Sequence, residues 1–285
     1  MQELVVETPA KINLTLDVLG KRSDGYHDLE TVMHQINLVD KIYLRKEISG
    51  ITINSNSKQI PHNEQNLTYQ AAALMLKNFQ IKEGISIFIE KRIPVGAGLA
   101  GGSTDAAAVL TGINKLCGLK AGRDDIMQLA ALIGSDVPFC VLGGTALARG
   151  RGEILQPLTS ALKLSILLVK PDFQLSTADV YRALDLKQVE VRPDNVAFLD
   201  AWKNCDIIGV ANNMANVLES VSIKKHREIA LLKQRLIQLG ALNALMSGSG
   251  PSVFGIFTDQ KQAQQACEIL QQDYREVYLV SSYIL

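Results

Sequence analysis

Residues 94–108 read PVGAGLAGGSTDAAA, placing four glycines (Gly96, Gly98, Gly101 and Gly102) within seven positions before an alanine-rich apolar run. Glycine has no Cβ, so the backbone can turn its amides outward and let a ligand approach closely. From Ala106 onward, Val109, Leu110, Ile113 and Leu116 recur at helical spacing and give one buried face. The segment is therefore a glycine-rich loop, 94–102, that leads into a helix. The first N–H groups of a helix have no partner within it and carry a partial positive charge. Loop and helix start together suit the anionic tail of a di- or triphosphate. Ser103 and Thr104 open the helix with hydroxyls that can meet a phosphate oxygen or a metal-bound water. The bland alternative is a tight turn that Ser103 merely caps.

Context sets aside three familiar phosphate loops. Gly96, Gly98 and Gly101 match G-x-G-x-x-G, but that fingerprint requires a parallel strand after the helix and an acid about 20 residues on. Here Asp124 and Asp125 lead into another helical pattern. A P-loop requires Gly-Lys-Ser/Thr, and this loop holds no lysine. A protein-kinase loop requires downstream HRD and DFG motifs, which the chain lacks. What remains is a nucleotide-triphosphate loop of another kind.

Upstream of the loop, 3–19 alternates and is rich in Val, Leu and Thr, which predicts a strand. A turn at 20–25 follows, then strand patterns over 29–42 and 43–53. Asn66 caps a helix predicted at 67–79, and 84–91 is a strand. Downstream, 124–133 is a helix and 143–155 a strand or hairpin. A buried-type strand at 164–169 precedes helical patterns at 177–184, 195–203, 211–221 and 226–239. In the last of these, Ile229, Leu232, Leu236 and Leu239 share a face. A strand–loop–strand at 242–257, a helix at 260–271 and a strand at 276–283 complete the chain. Mixed elements in both halves argue an α+β fold of two domains, with 156–163 as the boundary.

Composition narrows the function classes. Lysine plus arginine and aspartate plus glutamate each number 29 in 285 residues, so no basic excess exists to neutralise a nucleic-acid backbone. The longest apolar stretch, 164–169, is far too short to span a bilayer, and Met1–Pro9 lacks the apolar run of a signal peptide. Cys117, Cys140, Cys205 and Cys267 show no CxxC or metal-ligand spacing, which favours buried free thiols in a reducing cytoplasm. The expectation is a cytoplasmic protein acting on small molecules, with neither nucleic acid nor membrane as partner.

Further segments extend the reading. PAKINL at 9–14 and MSGSGPS at 246–252 accompany the 94–105 loop in order, and together the three resemble the motifs of the GHMP small-molecule kinases (galactokinase, homoserine, mevalonate and phosphomevalonate kinases). GKRSDGYH at 20–27 and GSDVPF at 134–139 resemble the branch of that family acting on a cytidine-diphosphate-linked methylerythritol in the non-mevalonate isoprenoid pathway. The resemblance implies a two-domain α+β GHMP kinase fold, 1–160 carrying the phosphate loop and 161–285 following it, with the active site in the inter-domain cleft. It implies ATP and Mg2+ as cofactors, and transfer of the γ-phosphate to the 2-hydroxyl of that substrate.

Site residues carry over position by position. Pro94, Val95, Gly96, Ala97, Gly98 and Leu99 match the body of the phosphate loop; Ala100, Gly101, Gly102, Ser103 and Thr104 match its exit. Asn66, otherwise a helix cap, matches a position bordering adenine. Asp136 matches the catalytic base that draws the proton from a tertiary alcohol; its bland reading is a loop carboxylate. Lys11 matches the paired lysine, whose ammonium would steady the developing charge; in an alternating strand it would otherwise mark the solvent face. Asn13, two residues on and so on the same strand face, matches a substrate-orienting position. Tyr26 matches a ring that stacks on cytosine and His27 a hydrogen-bonding partner of the base edge; in isolation the pair would be packing. Tyr181 matches a second stacking aromatic and Thr177 a nearby polar contact. Ser247 to Gly250 match a wall beside the phosphates. No metal ligand is assigned, although Ser103 or Thr104 could act on Mg2+ or its waters. Two alternatives stay open: a GHMP kinase with another alcohol acceptor, and a nucleotide-binding regulator that has lost transfer.

Overall fold

The computed structural model describes residues 3–283. Its contacts form two compact units interleaved along the chain. One comprises the stretch ending at Ala10, Leu38–Val95 and Ala100–Gly143; the other comprises Lys11–Asn37, Gly96–Leu99 and the stretch from Gly144 onward. The boundary expected near 160 falls inside the second unit. The reason is that two strands of 19 and 21 residues, β1 (Glu3–Lys21) and β2 (His27–Glu47), each contribute one half to each unit. Paired with each other, they are longer than the shorter strands expected over 29–53.

In the first unit, β3 (Ile51–Ser55) lies parallel to β4 (Gly84–Glu90), and β4 pairs antiparallel with the second half of β2, from Lys41 opposite Glu90 to Glu47 opposite Gly84. Alternation puts Ile42 and Leu44 of β2 and Ile85, Ile87 and Ile89 of β4 on one buried face. Four helices accompany this sheet: α1 (Leu67–Asn78), α2 (Gly101–Leu116), α3 (Arg123–Ile133) and α4 (Val137–Leu142). Ala71, Ala72 and Met75 of α1 and Ala106, Val109, Leu110 and Ile113 of α2 share its core. The alanines keep α1 and α2 close enough to pack on each other. Helix α4 had no counterpart in the sequence reading. Six residues are too few to show a period, and it is Pro138 in the first turn, with its fixed φ, that starts the helix.

In the second unit, the first half of β2 pairs antiparallel with β5 (Thr145–Gly150), which forms the expected hairpin with β6 (Ile154–Pro157). There follow β7 (Ser165–Lys170), α5 (Thr177–Ala183), a single 3-10 turn, α6 (Asn195–Lys203), α7 (Ile207–Asn212), α8 (Glu219–Lys225) and α9 (Glu228–Gln238). The chain ends in β8 (Asn243–Met246), β9 (Val253–Phe257), α10 (Gln260–Leu270) and β10 (Glu276–Ser281). The last strands build an antiparallel sheet in the order β10-β7-β9-β8. Leu167, Val169, Val253 and Phe257 of this sheet meet Ile229, Leu232 and Leu236 of α9 and Ala263, Ala266 and Leu270 of α10.

The helix expected over 211–221 is broken. Helix α7 stops at Asn212 and α8 starts at Glu219. Between them the Leu16 amide donates to the Ala215 carbonyl (2.9 Å), and the Val217 amide donates to the Leu16 carbonyl (3.0 Å). Pairing with β1 replaces the helical bonds there. Of the four cysteines only Cys267 is buried; Cys205 is exposed. Among the described residues, no helix is long and apolar enough to cross a membrane.

One buried group of the second unit makes stability depend on pH. His34 is fully enclosed, with Nδ1 2.7 Å from Thr145 Oγ1, Nε2 2.9 Å from Ser282 Oγ, and Trp202 edge-on. Burial pushes its pKa from 6.5 down to about 4. Between those values the unfolded chain binds a proton that the native state excludes, so stability falls as pH drops through this window. The full loss is about 3 kcal/mol. Urea unfolding at pH 6.5 and 4.5 should show it, and His34→Gln should flatten that part of the slope. Identical slopes in both proteins would remove His34 as the cause.

Candidate active site

The glycine-rich loop owes its shape to an alternation of anchors and turns. Ala97 and Leu99 are buried, while Gly96 and Gly98 take φ of +66° and +75°. Ala100 then takes the left-handed conformation (φ +55°) as the N-cap of α2. That cap supplies no side-chain hydrogen bond, and the first turn holds no acid. The amides of Gly101, Gly102 and Ser103 have no acceptor within the helix. A helix of 16 residues thus starts with its positive end available to an anion. Gly102 is exposed, and a Cβ built on it would meet nothing nearer than Leu67 Cδ1 at 3.7 Å.

Gly98 is the tight point of the loop. A Cβ there would run into the Ser247 carbonyl oxygen. Ser247 Oγ donates to the Gly98 carbonyl at 2.9 Å, and a Cβ on Gly248 would press on that same oxygen at 3.2 Å. The segment 246–252 is therefore seated on this part of the glycine-rich loop. It is held from behind by Asn216, whose Nδ2 donates to the carbonyls of Met246 and Gly248, both at 2.8 Å. No motif surrounds Asn216, and the sequence reading missed it.

Lys11 lies in β1 beside the same loop, its amide donating to the Leu99 carbonyl (3.1 Å). Its side chain is buried, against the solvent-face reading. The ammonium donates to Asn13 Oδ1 at 2.7 Å, and Asn13 Nδ2 donates to Thr31 Oγ1 at 2.9 Å. The i, i+2 relation of Lys11 and Asn13 on one strand face is as expected. Thr31 comes from β2, a register neighbour that no local pattern marks. Asp136 is half-buried at the N-cap of α4 but makes no capping bond with its side chain.

The GKRSDGYH segment closes the β1–β2 turn. Arg22 holds Asp24 (3.1 Å) and Asp28 (2.7 Å), and the Arg22 amide donates to the Tyr26 carbonyl (2.8 Å). This braced turn presents Tyr26 with 53% of its surface exposed. The Arg151 guanidinium sits 5.1 Å from the Tyr26 ring centre, a cation–π contact that sequence reasoning did not anticipate. His27 and Tyr181 are brought together, ring centres 5.2 Å apart. Burial, with Lys21 nearby, lowers the His27 pKa and favours its neutral form. Tyr181 also packs against the second core. Thr177 is exposed at the start of α5, with its hydroxyl 2.8 Å from Ser249 Oγ.

One expectation changes, at the start of α2, and the Asn66 cap is as expected. Helix α2 begins at Gly101, so Ser103 and Thr104 stand inside its first turns. The Thr104 hydroxyl is wholly buried, donating to the Pro9 carbonyl (2.7 Å) and lying 2.6 Å from Thr8 Oγ1, which takes it away from any phosphate. Asn66 is the N-cap of α1: its Oδ1 accepts from the Thr68 amide (3.0 Å) and hydroxyl (2.8 Å), and its Nδ2 donates to the Pro61 carbonyl (2.7 Å). Among the described residues, no cluster of three or more His, Cys, Asp or Glu could hold a metal ion.

Comparison with known proteins gives matches over nearly the whole chain. The family model described as GHMP kinases N terminal domain matches residues 66–144, and that described as GHMP kinases C terminal matches residues 203–276. The chain is 61% identical over 283 residues to the 4-diphosphocytidyl-2-C-methyl-D-erythritol kinase of Syntrophomonas wolfei, covering 99% of each chain. It is 45% identical to the enzyme of that name from Alkaliphilus metalliredigens, covering 99% of this chain and 98% of the other. A crystal structure of 4-(cytidine 5'-diphospho)-2C-methyl-D-erythritol kinase superposes with a TM-score of 0.85 at 33% identity, covering 99% of this chain and all of that one.

Proposed function

The chain belongs to the GHMP kinases, in the branch of the 4-diphosphocytidyl-2-C-methyl-D-erythritol kinases, and from that membership we propose how its residues carry the γ-phosphate of ATP to the 2-hydroxyl of the substrate. The observation that carries the reading is the uncapped, acid-free start of α2 behind two positive-φ glycines. Phosphoryl transfer asks the protein mainly for positioning and charge stabilisation. The first-turn amides of Gly101, Gly102 and Ser103 hold the phosphates. Asp136 accepts the proton of the tertiary alcohol. The Lys11 ammonium, aimed by Asn13, which Thr31 holds in turn, offsets the negative charge that develops as the proton leaves.

When bound with ATP, a magnesium ion would supply charge neutralisation at the phosphates. Among the described residues no cluster of His, Cys, Asp or Glu would hold the ion by itself, so it would be carried largely by the nucleotide, and the Ser103 hydroxyl in the first turn of α2 could meet it or its waters. An ADP-release assay tests the assignment: release should require both magnesium and the cytidine-diphosphate-linked alcohol. Release driven equally well by homoserine or mevalonate, or no acceptor-dependent release, would overturn it.

The base end of the substrate meets Tyr26, whose ring is exposed and braced, and His27, whose neutral ring can hydrogen-bond a base edge. Stacking of a base on an aromatic ring contributes about 1–3 kcal/mol. Tyr26→Ala should therefore raise KM for the cytidine substrate by roughly tenfold or more while leaving KM for ATP unchanged. An equal rise in both would show that Tyr26 only packs.

A further inference from the structure

A strap, 171–176, joins β7 to α5 and touches both glycine-rich segments of the second unit. It starts from Lys170, whose ammonium donates to the Pro171 carbonyl (3.2 Å) and pairs with Glu276 (2.6 Å). Phe173 stacks on His226, with ring centres 4.1 Å apart and planes 8° from parallel. Leu175 reaches the segment 246–252, where a Cβ on Gly250 would press on its Cδ1 at 3.1 Å. Phe173 and Leu175 both pack against the core of this unit. Past the strap, the Thr177 hydroxyl lies 2.8 Å from Ser249 Oγ.

Gln174 stands between the two anchored residues, is exposed, and has no part in the chemistry above. Its carboxamide covers Gly96 of the other glycine-rich segment. A Cβ built on that glycine would meet Cδ at 3.5 Å, and Nε2 and Oε1 at 3.7 Å each. With the carbon nearest and the two polar atoms equidistant, the amide lies face-on over the loop. Its N–H groups and its oxygen therefore point sideways from the rim of the group, not into the backbone beneath. Among the described residues neither polar atom has a hydrogen-bond partner. Fixing a glutamine side chain in one place costs conformational entropy. Here the anchored neighbours on either side deliver the amide to the loop, and its donors remain free for a ligand.

We propose that Gln174 is a further binding residue of the known reaction, its Nε2–H donating to a phosphate oxygen held at the glycine-rich loop. The proposal rests on the phosphate reading of that loop and deepens it. A hydrogen bond to an ionised acceptor is roughly twice as strong as one between neutral groups, so a neutral amide suffices. Two diphosphates enter this reaction, that of the nucleotide and that of the cytidine-linked alcohol. A donor over Gly96 offers the same chemistry to either.

Calorimetric titration of the intact protein with magnesium–ADP and, separately, with CDP tests it. Gln174→Ala should raise Kd by about tenfold in one arm, through loss of one hydrogen bond to a charged acceptor, and leave the other arm unchanged. The affected arm names the diphosphate. Gln174→Glu, which sets a carboxylate in the same place, should weaken that arm further, and the gap between the Glu and Ala variants should narrow as ionic strength is raised. Both variants should melt as wild type does, because an exposed side chain without hydrogen bonds adds little to stability. An Ala variant that binds both ligands like wild type, equal losses in the two arms, or a gap indifferent to salt would each overturn the assignment. A wild-type protein that binds neither ligand would instead overturn the reading of the loop, and the proposal with it.

Discussion

Asp136→Asn is expected to lower kcat by at least about a thousandfold while leaving the fold and the Kd for nucleotide intact. A tertiary alcohol is a poor nucleophile until its proton leaves, and a positioned base contributes roughly 10²–10⁴ to such a step. The side chain makes no capping bond to α4, so asparagine there removes charge and basicity without unmaking the helix. Lys11→Met is expected to lose about 10²–10³ through missing charge stabilisation. It also takes the ammonium from Asn13 Oδ1, so its melting temperature must be read beside its rate. A loss confined to kcat assigns each residue to the reaction itself. Full turnover by either variant would remove that residue from its role, and a loss appearing only in KM would make it a binding residue.

The second large effect lies in the loop. Gly98→Ala is expected to lower kcat/KM for ATP by at least about a hundredfold. Two costs add: the left-handed conformation costs about 1–2 kcal/mol for a residue with a Cβ, and that Cβ meets the Ser247 carbonyl, a backbone atom with little room to yield. Relief requires the two glycine-rich segments to part, which breaks the bond from Ser247 Oγ to the Gly98 carbonyl. Gly102→Ala serves as a stability control, since its Cβ makes only an ordinary contact with Leu67 Cδ1 at 3.7 Å and lies within a helix, where alanine is favoured by about 1 kcal/mol. Thermal melts should show Gly98→Ala falling and Gly102→Ala holding or rising. Wild-type affinity for ATP in Gly98→Ala would show that the loop does not need this geometry.

Much of this site could be read in advance because its parts are local. Gly96 and Gly98 announce positive φ, the run from Ala106 to Leu116 announces a helix, and Asn66 announces a cap. Lys11 and Asn13 share a face because a strand repeats every two residues. Residues that act across the chain left no such mark. Asn216 holds Met246 and Gly248 from 30 residues away, and Arg151 covers a ring of the first hairpin. The unwound stretch 213–218 has a helical composition and is opened by a strand that lies 200 residues earlier.

By itself the sequence determined the mixed α and β class and the glycine-rich loop with its helix, because each depends on residues within a few positions of one another. Tertiary structure decided which polar groups are spent on scaffolding and which face outward. It turned the Thr104 hydroxyl into the core, drew Lys11 out of solvent, and closed Lys91, Asp40 and Asp105 into one buried cluster. Such choices follow from desolvation and pairing between segments distant in sequence, and neither is encoded in any short stretch of the chain.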